Sequence, residues 1–123
     1  MEHVVRRAIK AFSKRLRTPH FARFFSWIMQ TFPFSLPVHR LKETSSLLAF
    51  YHPDPSYPYH VLLVPKKPVA TLSDLDPADS AFLTDLFSTV QQLVAENHLP
   101  AYRLIVNGGE YQDFPYLHFH LVA

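Results

Sequence analysis

The sequence predicts an α+β domain built on an antiparallel sheet, and three observations carry that assignment. Five short apolar segments of strand character are joined by brief turns, with a helix between only two of them, which is the spacing of hairpins rather than parallel crossovers. One segment in the middle, Phe82, Leu83, Leu86, Val90, Leu93 and Val94, carries a helical apolar stripe. Within the last eight residues, Tyr116 to Ala123, two histidines stand at period two between apolar side chains. At 123 residues, 48% of them apolar and 18% charged, the chain has room for one core.

The amino-terminal part is set apart by charge. Residues 1–48 hold nine Lys or Arg against two acidic side chains, whereas the remaining residues hold three basic against eight acidic. Val5, Ile9, Phe12 and Leu16 recur at helical spacing with Arg6, Arg7, Lys10, Lys14 and Arg17 between them, which predicts a basic amphipathic helix over 2–17. Thr18-Pro19 ends it, and Phe21, Phe24, Phe25, Trp27 and Ile28 predict a second, apolar helix up to Gln30. The pair reads as a helical extension over 1–33, followed by the main domain over 34–123. Its basic face suits an anionic membrane surface or an acidic partner. No groove-reading motif accompanies the charge, so specific nucleic-acid binding is not expected.

Pro33 and Pro37 mark a loop. Val38 to Leu41 and Ser46 to Tyr51 read as strands around a polar Lys42-Glu43-Thr44 turn. His52 to Pro58 contains three prolines, which remove donors and restrict their neighbours, so it is a stiff loop. Tyr59 to Val64 is a buried strand closed by Pro65. Asp76-Pro77 supplies a helix cap and first-turn proline, and the stripe runs to Asn97. Arg103 to Val106 and Tyr116 to Val122 complete the sheet. His3, His20, His39 and His98 read as surface or capping residues. The chain has no cysteine, which excludes disulfides and thiol catalysis and fits a reducing compartment such as the cytoplasm.

Period-two spacing places Tyr116, His118 and His120 on one strand face, the two imidazoles about 7 Å apart. Imidazole titrates near neutrality and can be a nucleophile, an acid or base, or a metal ligand. From the residues alone the pair could be a polar strand edge, or two ligands of a metal site completed by His60 and water.

The surrounding order is more specific. Ala49-Phe50, a proline-bearing loop, His60, Pro65-Lys66-Lys67, a helix, a strand ending in Asn107-Gly108-Gly109, Gln112, and His118-Phe119-His120 follow one another. This series resembles the histidine-triad (HIT) nucleotide-binding and hydrolase superfamily, from about Ala49 to Ala123 and more loosely back to Pro37. The resemblance implies a five-stranded antiparallel sheet with a packed helix, commonly paired into a homodimer. It implies hydrolysis or transfer of a nucleoside monophosphate group from an ester, anhydride or phosphoramidate, with no cofactor and no metal. His118 matches the nucleophile, His120 a phosphate contact, and His60 the histidine that lies against them. Asn107 and Gln112 match residues that hold the phosphates, while Phe50, with Phe25 and Ile28, matches an apolar slot for the base.

Four departures accompany the match. Tyr116 stands where the motif begins with histidine; a phenol can bond within the site but cannot serve as a second imidazole near pH 7. Asp113 replaces the hydroxyl residue after Gln112 and brings a carboxylate toward the leaving group. His52 stands at the position of a ribose-binding acid, with Asp54 as its nearest substitute, and Pro68 replaces the histidine after the lysines. Tyr116 and Asp113 therefore keep a nucleotide-binding module with little or no turnover as one alternative. A histidine-ligated, metal-dependent hydrolase is the other.

No residue matched to the phosphate site precedes Pro37. Deletion of residues 1–17 is accordingly predicted to leave nucleotide affinity within a few-fold while lowering sedimentation with anionic vesicles. Loss of nucleotide binding in a folded truncation would overturn that division of labour.

Overall fold

The computed structural model describes residues 40–123. The helices over 2–17 and up to Gln30, Phe25, Ile28, His3, His20, His39 and the boundary at 33/34 lie outside the described residues. Within them, β1 (Arg40–Glu43), β2 (Leu47–Tyr51), β3 (His60–Pro65), α1 (Ser80–Glu96), β4 (Arg103–Val106) and β5 (Phe119–Val122) follow in sequence. The five strands form one antiparallel sheet in the order β1-β2-β3-β5-β4, and α1 packs on one face of it. The α+β reading and the strand count hold. No helix of the described residues is long and apolar enough to cross a membrane.

Alternation along the strands divides the side chains between two faces. Leu47, Ala49, Val61, Leu63, Phe119 and Leu121 meet Phe82, Leu86, Val90 and Leu93 of α1 in the main core. The helical stripe read from the sequence is thus the packed face. On the opposite side of the sheet, Leu48, Phe50, Val64 and Tyr116 form a second, smaller apolar cluster. The histidines share this second face.

Three boundaries differ from the sequence reading, each for a local reason. The turn between β1 and β2 falls at Thr44 to Ser46 rather than Lys42 to Thr44, because the Thr44 hydroxyl oxygen accepts from the Ser46 and Leu47 amides at 3.1 and 3.0 Å. Asp85 of α1 accepts from both Thr44 Oγ1 (2.7 Å) and Ser46 Oγ (2.6 Å), which ties that turn to the helix. The helix begins at Ser80, capped by Asp79, whose side chain accepts from the Phe82 amide at 3.3 Å. Asp76 instead caps the preceding turn, accepting from Ala78 N–H at 2.9 Å. At the other end Asn97 caps α1 as read, and His98 follows with a left-handed φ of 51°, a capping conformation.

The third difference bears on the site. β5 starts at Phe119, so Tyr116, Leu117 and His118 precede the ladder rather than belonging to it. The β3–β5 ladder ends at the pair Leu63 and Phe119 and the β4–β5 ladder at Val106 and Phe119, so these residues have no ladder partner on either side. The Leu117 amide bonds to Val69 O at 2.9 Å instead.

Leu63 has no exposed surface and lies between the sheet and α1, whereas Phe87 on the outer side of the helix is 55% exposed. Leu63→Ala is predicted to destabilise the domain by about 2–5 kcal/mol through lost burial and the cavity left behind. Phe87→Ala should stay within roughly 0.5 kcal/mol of wild type. Urea unfolding of both variants provides the comparison.

Candidate functional site

Antiparallel register brings the chemically active residues together. Across the second face, Arg40, Phe50, Leu62, His120 and Ile105 form one lateral row through all five strands. His120 therefore stands between two apolar neighbours. One step along the sheet, His60 pairs with Val122, so His60 lies diagonal to His120. Tyr51 pairs with Val61, and the His52 amide bonds to His60 O at 2.9 Å, which places His52 opposite His60. Four imidazoles result in one cluster. Ring centroids are 4.4 Å apart for His52 and His60, 5.1 Å for His60 and His120, and 4.9 Å for His118 and His120.

Hydrogen-bond partners assign the protons on these rings, because an amide can only donate and a carbonyl can only accept. The Ser56 amide donates to His60 Nδ1 at 3.1 Å, so neutral His60 carries its hydrogen on Nε2. That Nε2–H faces His120 Nδ1 at 2.8 Å and donates to it, which leaves the hydrogen of neutral His120 on its own Nε2. His120 Nε2 is buried and has no hydrogen-bond partner among the described residues. His118 is held the other way round. Its Nδ1 lies 2.7 Å from Tyr116 O, so Nδ1 carries the hydrogen and Nε2 presents a lone pair.

Charge reinforces this assignment. Burial, then repulsion by His52 and His118, pushes His60 down to about 4. Burial, then His118, His60 and His52, pushes His120 down to about 3. Burial also lowers His118, against the opposing effects of its bond to Tyr116 O and of the Asp113 carboxylate. His60, His118 and His120 are neutral at pH 7. They offer one lone pair, on His118, beside one buried N–H donor, on His120.

The other sequence-predicted residues divide into those near this pair and those with different tasks. Val106 pairs with Phe119 as the last step of the β4–β5 ladder, so Asn107 and His118 each adjoin that pair. Phe50 is buried in the second-face cluster, one strand beyond Leu62 in the row that contains His120. Asp113 is exposed and acts on His118 through its charge. Gln112 differs from expectation: it is buried, and its side-chain amide donates to Ala70 O at 2.7 Å and Phe114 O at 2.9 Å. With both hydrogens taken by backbone carbonyls, it clamps the loop after β3 instead of offering a donor to phosphate. Tyr116, expected to contact substrate, is 1% exposed and turns its hydroxyl onto the carbonyls of Pro65 and, at 2.9 Å, Lys67.

Sequence reasoning missed two contributors. His52 was read only as a missing acid, although its place opposite His60 follows from a β2–β3 hairpin closing over residues 53–59. Ser56 acts through its backbone amide, for which no side-chain signal exists. The three-ligand metal arrangement is not favoured by the geometry: His60 and His120 face each other at hydrogen-bonding distance. Among the described residues no three His, Cys, Asp or Glu side chains converge on a point that would hold an ion.

Comparison with known proteins bears on the family and the fold. The HIT domain family model matches residues 35–123. An uncharacterised HIT-like protein of Synechocystis sp. is 34% identical over 87 residues, covering 70% of this chain and 76% of that protein. Adenosine 5'-monophosphoramidase HNT1 of Saccharomyces cerevisiae is 32% identical over 89 residues, 71% of this chain and 54% of the yeast enzyme. The crystal structure of a HIT family hydrolase from Legionella pneumophila superimposes with a TM-score of 0.70 at 30% identity, covering 80% of this chain and 89% of the other. A histidine triad nucleotide-binding protein from Candida albicans gives a TM-score of 0.63 at 28% identity, covering 80% and 71%.

Neutral imidazoles make the fold sensitive to acid. The unfolded chain protonates histidine near pH 6.5, whereas folded His60 and His120 do so only at about 4 and about 3. Stability is predicted to fall as pH drops below 6.5, by up to about 1.4 kcal/mol per pH unit for each imidazole, and the loss should level off below about pH 3. Urea midpoints between pH 7 and 4 would show the slope, and His60→Gln should make it shallower. An equal slope in that variant would mean that other groups govern the acid limb.

Proposed function

Because the chain belongs to the HIT domain family, we propose that it is a nucleotide-binding hydrolase or nucleotidyl transferase that acts through His118. Its substrate class would be a nucleoside monophosphate linked as an ester, anhydride or phosphoramidate. The observation that carries this reading is the pairing of a bare His118 Nε2 with a buried His120 Nε2–H that lacks a partner among the described residues. A buried donor of that kind is costly unless an acceptor arrives, and a phosphoryl oxygen is such an acceptor. The similarity to adenosine 5'-monophosphoramidase supports the phosphoramidate class.

In this reading the His118 Nε2 lone pair attacks phosphorus, and the bond from phosphorus to the leaving oxygen or nitrogen breaks. The leaving atom keeps the electron pair and takes a proton from solvent. Phosphorylation at Nε2 makes the His118 ring cationic while Nδ1 keeps its hydrogen bond to Tyr116 O. The Asp113 carboxylate favours that positive charge, as it favours protonation of the free ring. His120 keeps its hydrogen and donates it as a hydrogen bond to the phosphoryl oxygen, with Asn107 beside it; fixed donors of this type are often the largest catalytic contribution. Water then attacks phosphorus, the P–N bond returns its electrons to Nε2, and the excess proton leaves with solvent. Leu62, Phe50 and Ile105 supply the apolar flank for the base.

A homodimer belongs to the same proposal. β4 is the outer strand on the site's side of the sheet, and an edge strand offers backbone groups to which a second copy can add.

His118→Ala is predicted to lower turnover of an amino-linked adenylate by roughly three orders of magnitude or more while preserving much of the nucleotide affinity. His120→Ala should weaken both. Non-acidic quench followed by mass spectrometry should find the nucleotidyl adduct on a peptide containing His118. Full activity in His118→Ala would refute the mechanism, and tight AMP binding without turnover in the wild type would identify a binding module instead.

A further inference from the structure

We propose that Tyr116 is a positioning residue for His118: its buried hydroxyl anchors the backbone carbonyl that fixes the proton and the direction of the neighbouring imidazole. The proposal rests on the reading of His118 as nucleophile. Tyr116 replaces a titratable side chain of the motif, yet its position is highly constrained. Its ring packs among Leu48, Phe50 and Val64, and its hydroxyl hydrogen is shared between the carbonyls of Pro65 and Lys67. With that hydrogen directed into the loop, the side chain has no donor left for a ligand.

What it does hold is its own main chain. Residues 116–118 lie before the β5 ladder, so no strand fixes the direction of the Tyr116 carbonyl. Two contacts replace the ladder: the phenol on one side of the peptide, and the Leu117 amide on Val69 O on the other. Both lead to the same segment, residues 65–69, just after β3. The carbonyl between them accepts from His118 Nδ1 at 2.7 Å. This bond selects the tautomer with a bare Nε2, and it sets the ring plane that aims the lone pair. If the carbonyl could rotate away, the Nε2–H tautomer would become accessible and the nucleophilic fraction would fall. The same carbonyl faces the cationic ring formed on attack, so its placement acts on the chemical step and not on ligand affinity.

Tyr116→Phe removes the hydroxyl and keeps the ring. The free protein's imidazole nitrogen shifts, read by long-range 15N–1H correlation, test the claim without reference to catalysis. Wild-type His118 should show one tautomer, protonated on Nδ1, and Tyr116→Phe should show averaging with the Nε2–H form. Single-turnover adduct formation with an adenylate should slow by roughly ten- to a hundredfold, with AMP affinity within about twofold. Tyr116→His, which offers a ring N–H to the same carbonyls, should restore the tautomer signature in part. An unchanged His118 signature in Tyr116→Phe overturns the proposal, whether or not the rate changes. Joint loss of AMP binding and cooperative unfolding also overturns it, because Tyr116 would then be a core residue alone. If His118→Ala retains activity, the catalytic reading fails while the tautomer measurement still decides the positioning claim.

Discussion

The hydrogen bond from His60 Nε2 to His120 Nδ1 is the constraint around which this domain is arranged. It exists only if β3 and β5 pair in one register, since a slip of one residue would turn one ring into the helix-packed core. It is made between two neutral rings at pH 7. Burial first, and the neighbouring imidazoles second, are the physical reason that His60 and His120 titrate far below ordinary histidine. The Ser56 amide begins the chain of donors that ends at the buried Nε2–H of His120. Thus a proline-stiffened loop sets, at one remove, which nitrogen of His120 carries the hydrogen.

Separation of tasks between the two sheet faces makes this arrangement affordable in stability. The face under α1 holds the main apolar cluster, so the second face does not have to carry the fold alone. There the row through Phe50, Leu62, His120 and Ile105 alternates between packing and chemistry. Apolar neighbours exclude water from the imidazoles, and that desolvation lowers their proton affinity. The same burial therefore keeps the imidazoles neutral and gives the domain its weakness toward acid.

The sequence made some of this legible and hid the rest for identifiable reasons. Strand alternation, the α1 stripe and the place of His118 and His120 follow from periodicity, a local property. The start of β5 does not, because it depends on where its ladders with β3 and β4 end, and β3 itself runs on to Pro65. The choice of Asp79 over Asp76 as helix cap was a competition between two local turns that both form. Gln112 misled because a residue type fit for phosphate had both amide hydrogens captured by carbonyls 42 and two residues away, one of them brought there only by tertiary folding. His52 was accessible in principle. Pairing β2 with β3 places it opposite His60, and the fourth imidazole follows from hairpin geometry rather than from any motif.

Position 116 shows why departures from a motif differ in weight. At 118 the side chain must supply a lone pair and at 120 a donor on a particular nitrogen, and imidazole in a defined tautomer meets both needs. At 116 the atom that faces the chemistry is a backbone oxygen, which every residue possesses. The side chain there has only to hold that oxygen still. A phenol buried among Leu48, Phe50 and Val64, with its hydroxyl on the carbonyls of Pro65 and Lys67 at the end of β3, meets that requirement without an imidazole. Replacing an imidazole by a phenol is therefore a large change in side-chain chemistry but a small one in the function of the position, and the motif letter misstates what the site has lost.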